Sequence, residues 1–177
     1  LSWNPGDVTS VSFSVISGSG GLPSKEVNCV LPQGSRYAYA GTDEGLCLVD
    51  AVTQSVSQVW TSSDGLPSSL VTALAMDRAG TVFVGTASGL AALKGSEIQE
   101  TDELDMSVEA LACDFLGSVW ISSNDGLDRY HPATGALESY TAFNSPLLEG
   151  TVYDFAVDSD MGLIWLATEH GLWRGTL

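Results

Sequence analysis

Three polar pairs stand immediately before a Gly-Leu step: Asp43-Glu44 before Gly45-Leu46, Asn124-Asp125 before Gly126-Leu127, and Glu169-His170 before Gly171-Leu172. Asp64 stands in the same way before Gly65-Leu66-Pro67. Carboxylates and amides exchange hydrogen bonds with hydroxyl groups, which is the chemistry of a saccharide-binding face, and aromatic rings would add stacking surface. Asp43, Glu44, Asp64, Asn124, Asp125, Glu169 and His170 are therefore the candidate ligand-binding residues, with Lys25, Glu26 and Ser88 beside them. No exposed aromatic is evident among them. The competing explanation is local, since turns favour Asp, Asn and Ser whatever the ligand. No catalytic residue is assigned: His131 and His170 have no spacing that brings them together, and no nucleophile has a recognisable base. A lyase or hydrolase site assembled from several loops would leave no local motif and stays open as an alternative.

The elements that hold these residues come from a repeat. The stretch Ser62 to Leu90 contains a Gly65-Leu66-Pro67 turn, an apolar strand Val71 to Met76, an Asp77-x-x-Gly80 turn, a strand Thr81 to Gly85, and Gly85-Thr86-x-x-Gly89-Leu90. Copies follow the same order. One has Gly21-Leu22-Pro23, Val27 to Leu31, Tyr39 and Gly41-Thr42-Asp43-Glu44-Gly45-Leu46. Another has Val108 to Cys113, Asp114 to Gly117, Trp120 and Ser122 to Leu127, and the last has Val152 to Val157, Asp158 to Gly162, Trp165 and Ala167 to Leu172. The closing glycines are 44, 37 and 45 residues apart. A period of about 40 with four short strands predicts an all-β fold, a β-propeller of about four blades, each a four-stranded antiparallel meander. Tyr39, Phe83, Trp120 and Trp165 share one repeat position and are expected to be core between blades.

The 177 residues form a single propeller domain or a propeller segment, with blade parts 1–21, 22–64, 65–105, 106–144 and 145–177. Leu1 to Pro5 matches Leu127 to Pro132 after a one-residue gap, so the sequence begins inside a blade. The fourth unit runs only to Gly171-Leu172-Trp173 and lacks an outermost strand. The alternating strand Thr9 to Ile16 is expected to close that blade against Leu172 to Thr176. The alternative is that the chain is a segment of a larger propeller.

Composition excludes some partners. Six Lys and Arg against 22 Asp and Glu give a net charge of −16, which argues against nucleic acid and anionic membranes. No run of about eighteen apolar residues predicts a membrane span, and no signal peptide is visible. Cys29, Cys47 and Cys113 lack metal-ligand spacing, and the strand between Cys29 and Cys47 makes a bridge improbable, so all three read as small buried hydrophobes. Asp158 to Gly162 reads as a hairpin turn rather than a calcium loop, because the distal bidentate Glu of an EF-hand is absent. No metal or cofactor is expected.

Gly65-Leu66-Pro67-Ser68, Val71-x-x-Leu74, Asp77-x-x-Gly80, Phe83-Val84-Gly85-Thr86 and Gly89-Leu90 resemble the two-component-regulator propeller repeat. Tyr130 to Leu137 and Ile164 to Thr168 extend the resemblance over nearly the whole chain. It implies a non-catalytic ligand-binding or sensing module outside the cytoplasm, whether periplasmic, cell-surface or secreted, with oligosaccharide as ligand. It equally implies a structural or protein-interaction propeller within a larger surface or secretion assembly, with another protein or a second copy in a homodimer as partner. The family's sensors carry about seven blades per propeller and further signalling segments, which this sequence does not show.

Overall fold

The structure, a computed structural model, describes residues 14–16, 20–101, 104–123, 126–141, 144–145, 152–158 and 160–177. The Gly-Thr-x-x-Gly-Leu motif is a hairpin held from inside. In the first copy Thr42 Oγ1 donates to the Gly45 carbonyl (2.8 Å) and accepts from the Glu44 amide (3.2 Å). Thr86 does the same with Gly89 and Ser88, and Thr168 with Gly171 and His170. Gly45 and Gly89 close their turns at φ 142° and 147°, which side chains with a Cβ rarely adopt.

These hairpins and the turns between them set the strand order. The first sheet is β1 (Val27–Gln33), β2 (Tyr37–Thr42), β3 (Gly45–Asp50) and β4 (Ser55–Trp60), and the second is β5 (Val71–Met76), β6 (Val82–Thr86), β7 (Gly89–Lys94) and β8 (Glu97–Glu100). The third contains β9 (Ala110–Cys113), β10 (Val119–Ser123), β11 (Gly126–His131) and β12 (Ala136–Tyr140), and the fourth β13 (Val152–Asp158), β14 (Leu163–Thr168) and β15 (Gly171–Thr176). All are antiparallel meanders, and the first strands of successive sheets run beside one another. Strand β9 begins two residues later than the sequence predicts. Val108 gives its amide to the Thr86 carbonyl of the preceding blade (3.0 Å) instead of to its own ladder.

Three apolar cores join the blades in series. Tyr39, Leu46 and Trp60 of the first meet Val71, Val82, Val84 and Leu93 of the second. The other face of the second, with Phe83 and Leu90, meets Val108, Val119 and Ile121. Trp120 and Leu127 then meet Val152, Ile164 and Leu166 of the fourth. A fully buried Leu or Phe contributes about 1.5–3 kcal/mol relative to an exposed one, so these seams dominate the stability of the array.

The fourth copy departs from the expected burial. Tyr39, Phe83 and Trp120 are buried, but Trp165 is 37% exposed, and Leu172 is 72% exposed where Leu46, Leu90 and Leu127 are buried. Among the described residues no core joins the fourth sheet to the first, and β15 pairs only with β14. Of the strand expected over Thr9 to Ile16, only Ser14 to Ile16 are described, and they are not in a strand. Ser14 Oγ accepts from Gln54 Nε2 (2.9 Å), and Ile16 packs with Leu22 and Val56 on Ala40, Cys47 and Val49. This piece therefore lies on the first blade, over its face turned away from the second.

The third blade contains a charged element within its seam. Asp114 Oδ1 accepts from the Leu116 and Ser118 amides (2.9 Å each), which shapes the Asp-x-x-Gly turn. Its Oδ2 accepts from Trp120 Nε1 (3.2 Å) and from the Arg129 guanidinium (2.9 Å), which lies 5.2 Å over the Trp120 ring.

All three cysteines are free thiols, on β1, β3 and β9. Burial pushes Cys29 and Cys47 up to about 11, and burial with the nearby Asp77 and Asp114 carboxylates pushes Cys113 to about 12. At pH 8 the thiolate fraction is then about one part in a thousand or less. Ellman's reagent is expected to leave the folded protein unmodified on the minute scale and to titrate three thiols in denaturant. Fast modification of any one in native buffer would contradict this packing.

Candidate functional site

The β2–β3, β6–β7, β10–β11 and β14–β15 hairpins stand at one end of the blades, where each first strand begins. This rim carries Asp43 and Glu44, Ser88, and Glu169 and His170, all exposed. Asn124 and Asp125 lie outside the described residues.

A bulge recurs at the start of the first strands, between Val27 and Cys29, between Val71 and Ala73, and between Val152 and Asp154. A bulge leaves one residue unpaired and re-aims it. Asn28 is the first such residue: its Nδ2 donates to Asp43 Oδ1 (2.9 Å) and to the Val71 carbonyl of the next blade (3.0 Å). Thr72 makes the equivalent link, Oγ1 to the Val108 carbonyl (2.6 Å). The third is Tyr153, 65% exposed, opposite the Thr168 corner of the hairpin that carries Glu169 and His170. The rim therefore has the aromatic residue that the sequence did not reveal. The signal was present as a Tyr directly after the first valine of a repeat strand.

Asp64 has a local task. Its Oδ2 accepts from the Thr61 amide and hydroxyl (2.9 Å each) and caps the 3₁₀ turn Ser62–Asp64. The Asp158 turn is likewise closed within the chain, with the Met161 amide donating to Asp158 Oδ1 (3.0 Å). Among the described residues no three His, Cys, Asp or Glu side chains are grouped to hold a metal ion, and no helix is long and apolar enough to cross a membrane. What the rim offers is a line of carboxylates, one amide fixed between blades, a histidine and an exposed phenol.

No family model matches the sequence, and no curated protein matches it. Solved structures do match. The extracellular domain of the BT4673 one-component system of B. thetaiotaomicron aligns with a TM-score of 0.73 over 87% of this chain and 22% of that one, at 23% identity. The fold is a β-propeller's. PorZ, a bacterial surface component of the type-IX secretion system of Porphyromonas gingivalis, aligns with a TM-score of 0.70 over 98% of this chain and 28% of that one, at 17% identity. Virginiamycin B lyase from Staphylococcus aureus gives 0.61 over 86% and 56%, at 13% identity. At these identities the likeness establishes the propeller architecture, and the chain spans about a fifth of the length of the BT4673 extracellular domain. Extracellular domains of hybrid two-component systems recur among these neighbours, which fits the two-component-regulator propeller repeat that the motifs resemble.

Proposed function

We propose that the chain is an extracytoplasmic sensing propeller whose hairpin rim binds a neutral, hydroxyl-rich saccharide. The observation that carries the reading is Tyr153, exposed beside the Glu169-His170 hairpin, because an open phenol ring next to a carboxylate and an imidazole matches what a sugar ring requires. Glu169, His170, Asp43, Glu44 and Asn28 supply hydrogen bonds, Asn124 and Asp125 belong to the same repeat position, and Tyr153 supplies stacking. The net charge of −16 disfavours sulfated and uronic-acid chains. The extracellular domains among the fold neighbours support the location outside the cytoplasm.

The test is thermal unfolding with a panel of neutral and acidic oligosaccharides. A neutral ligand at 100 times its Kd is expected to add about 2.7 kcal/mol, and Tyr153→Ala is expected to abolish that gain without changing the unliganded midpoint. A full panel without stabilisation would sink the reading. A protein-interaction role is favoured by a different observation, the exposed Trp165 and Leu172 of the fourth blade. Under that reading a fixed protein partner co-purifies with the chain and is lost with Leu172→Glu.

A further inference from the structure

A second site lies at the opposite end of the blades, in a cavity of about 190 Å³ between the second and third, lined among others by Asp77, Phe83, Ala92, Lys94, Gln99 and Tyr130. Its origin is visible by superposing the repeats. In the third blade Trp120 and Arg129 are cross-strand partners, and both donate to Asp114 Oδ2. In the second blade the same positions are Phe83 and Ala92, again cross-strand partners. Asp77 repeats Asp114, with Oδ1 accepting from the Ala79 amide (2.9 Å) and the Thr81 amide (2.8 Å). The Phe83 side chain has no N–H and that of Ala92 no guanidinium. Among the described residues Asp77 Oδ2 has no hydrogen-bond partner, and Asp77 lines an open cavity where Asp114 is covered by Trp120 and Arg129 in the third blade.

We propose that this cavity binds an alkylguanidinium cation, as carried by an arginine side chain, with the carboxylate of Asp77 as its counter-charge and the half-buried Tyr130 ring as its aromatic wall. The chain supplies the template, since Arg129 occupies the corresponding place with its guanidinium 2.9 Å from a carboxylate and 5.2 Å from a ring centre. A planar guanidinium satisfies both contacts at once, whereas an ammonium is a compact, strongly hydrated charge. Lys94 is exposed at the mouth and makes no ion pair with Asp77 among the described residues, so it opposes the incoming cation and does not replace it.

The experiment uses N-acetyl-arginine amide as probe and N-acetyl-lysine amide as comparison, with amide NMR shifts as readout. Saturable shifts are expected at Ala79, Thr81 and Ala92 with arginine, with affinity of about millimolar order for one small cation. Asp77→Asn keeps the acceptor for the turn amides and is expected to weaken binding about tenfold. Lys94→Gln is expected to tighten it. Ala92→Arg installs the third blade's own arrangement and is expected to abolish binding in a protein that still folds, which separates loss of the site from loss of the fold. Equal response to lysine, undiminished binding in Ala92→Arg, or shifts confined to the hairpin rim would each overturn the assignment.

Discussion

Asp114→Ala is expected to lose about 3–5 kcal/mol of folding stability, the usual cost of removing one partner from a buried ion pair. The Arg129 side chain is only 14% exposed and that of Asp114 is fully covered. Without the carboxylate, a guanidinium is left in the seam between the third and fourth blades with its counter-charge gone, Trp120 Nε1 loses its acceptor, and the Leu116 and Ser118 amides lose the cap of their turn. Urea unfolding measures the loss, and the double variant Asp114→Asn with Arg129→Met separates its parts. Restoring much of the stability with methionine would attribute the cost to the stranded charge. A small loss in Asp114→Ala itself would mean that water already reaches the pair.

The same carboxylate gives a pH dependence with a defined sign. Burial works to raise its pKa, but hydrogen bonds from the Ser118 amide, Trp120 and Arg129, together with the Arg129 charge, outweigh burial and hold it below the ordinary value of 3.8. A depressed carboxylate contributes stability in full above the unfolded value and loses it as pH falls through the folded value. Asp50 behaves alike, held at about 2 chiefly by its hydrogen bond from Arg36. Acid unfolding of the wild type is therefore expected to steepen below pH 3.8, and the Asp114 variants to lose part of that steepness.

What was legible in the sequence was whatever is local. Gly-Thr-x-x-Gly-Leu names its hairpin because Thr42, Thr86 and Thr168 close the turn within three residues, so four copies in register were enough to read the blades. Asp64, expected to bind ligand, instead caps a turn, and the spacing of hydroxyl and carboxylate in Thr61-Ser62-Ser63-Asp64 carries a local signal that the binding expectation did not use. Tyr153 was not legible, because a bulge breaks the alternation on which strand reading rests. Val152 and Phe155 both point inward, leaving Tyr153 and Asp154 outside together. The fate of Trp165 was equally out of reach, since its repeat position says what it packs against only where another blade stands beside it. The cavity at Asp77 lies between these cases. Its residues stand in the repeat alignment, but the meaning of Ala92 appears only once the register sets it opposite Phe83, as Arg129 is set opposite Trp120.

Close approach of blades rests on glycine at one position, and filling it is expected to cost about 1–3 kcal/mol. A Cβ built on Gly85 would stand 2.4 Å from Val108 Cγ1 and 3.2 Å from Leu111 Cδ1, and one on Gly41 would stand 2.5 Å from both Cys29 Sγ and Val71 Cγ1. Both glycines lie in regular strand, so alanine at either is free of backbone strain; at Gly85 its nearest neighbours all lie in the next blade, whereas at Gly41 it also meets Cys29, the cross-strand partner in the same sheet. Gly85→Ala must therefore push the third blade away from the second or force Val108 off its rotamer, and Val108 also carries the amide bond to Thr86. The expected result is a lower urea midpoint with an unchanged slope, partly restored by Val108→Ala in the same chain, because the smaller side chain makes room for the new methyl. Additive losses in that double variant would show that the two residues do not compete for space, and would remove Gly85 as the element that sets the distance between blades.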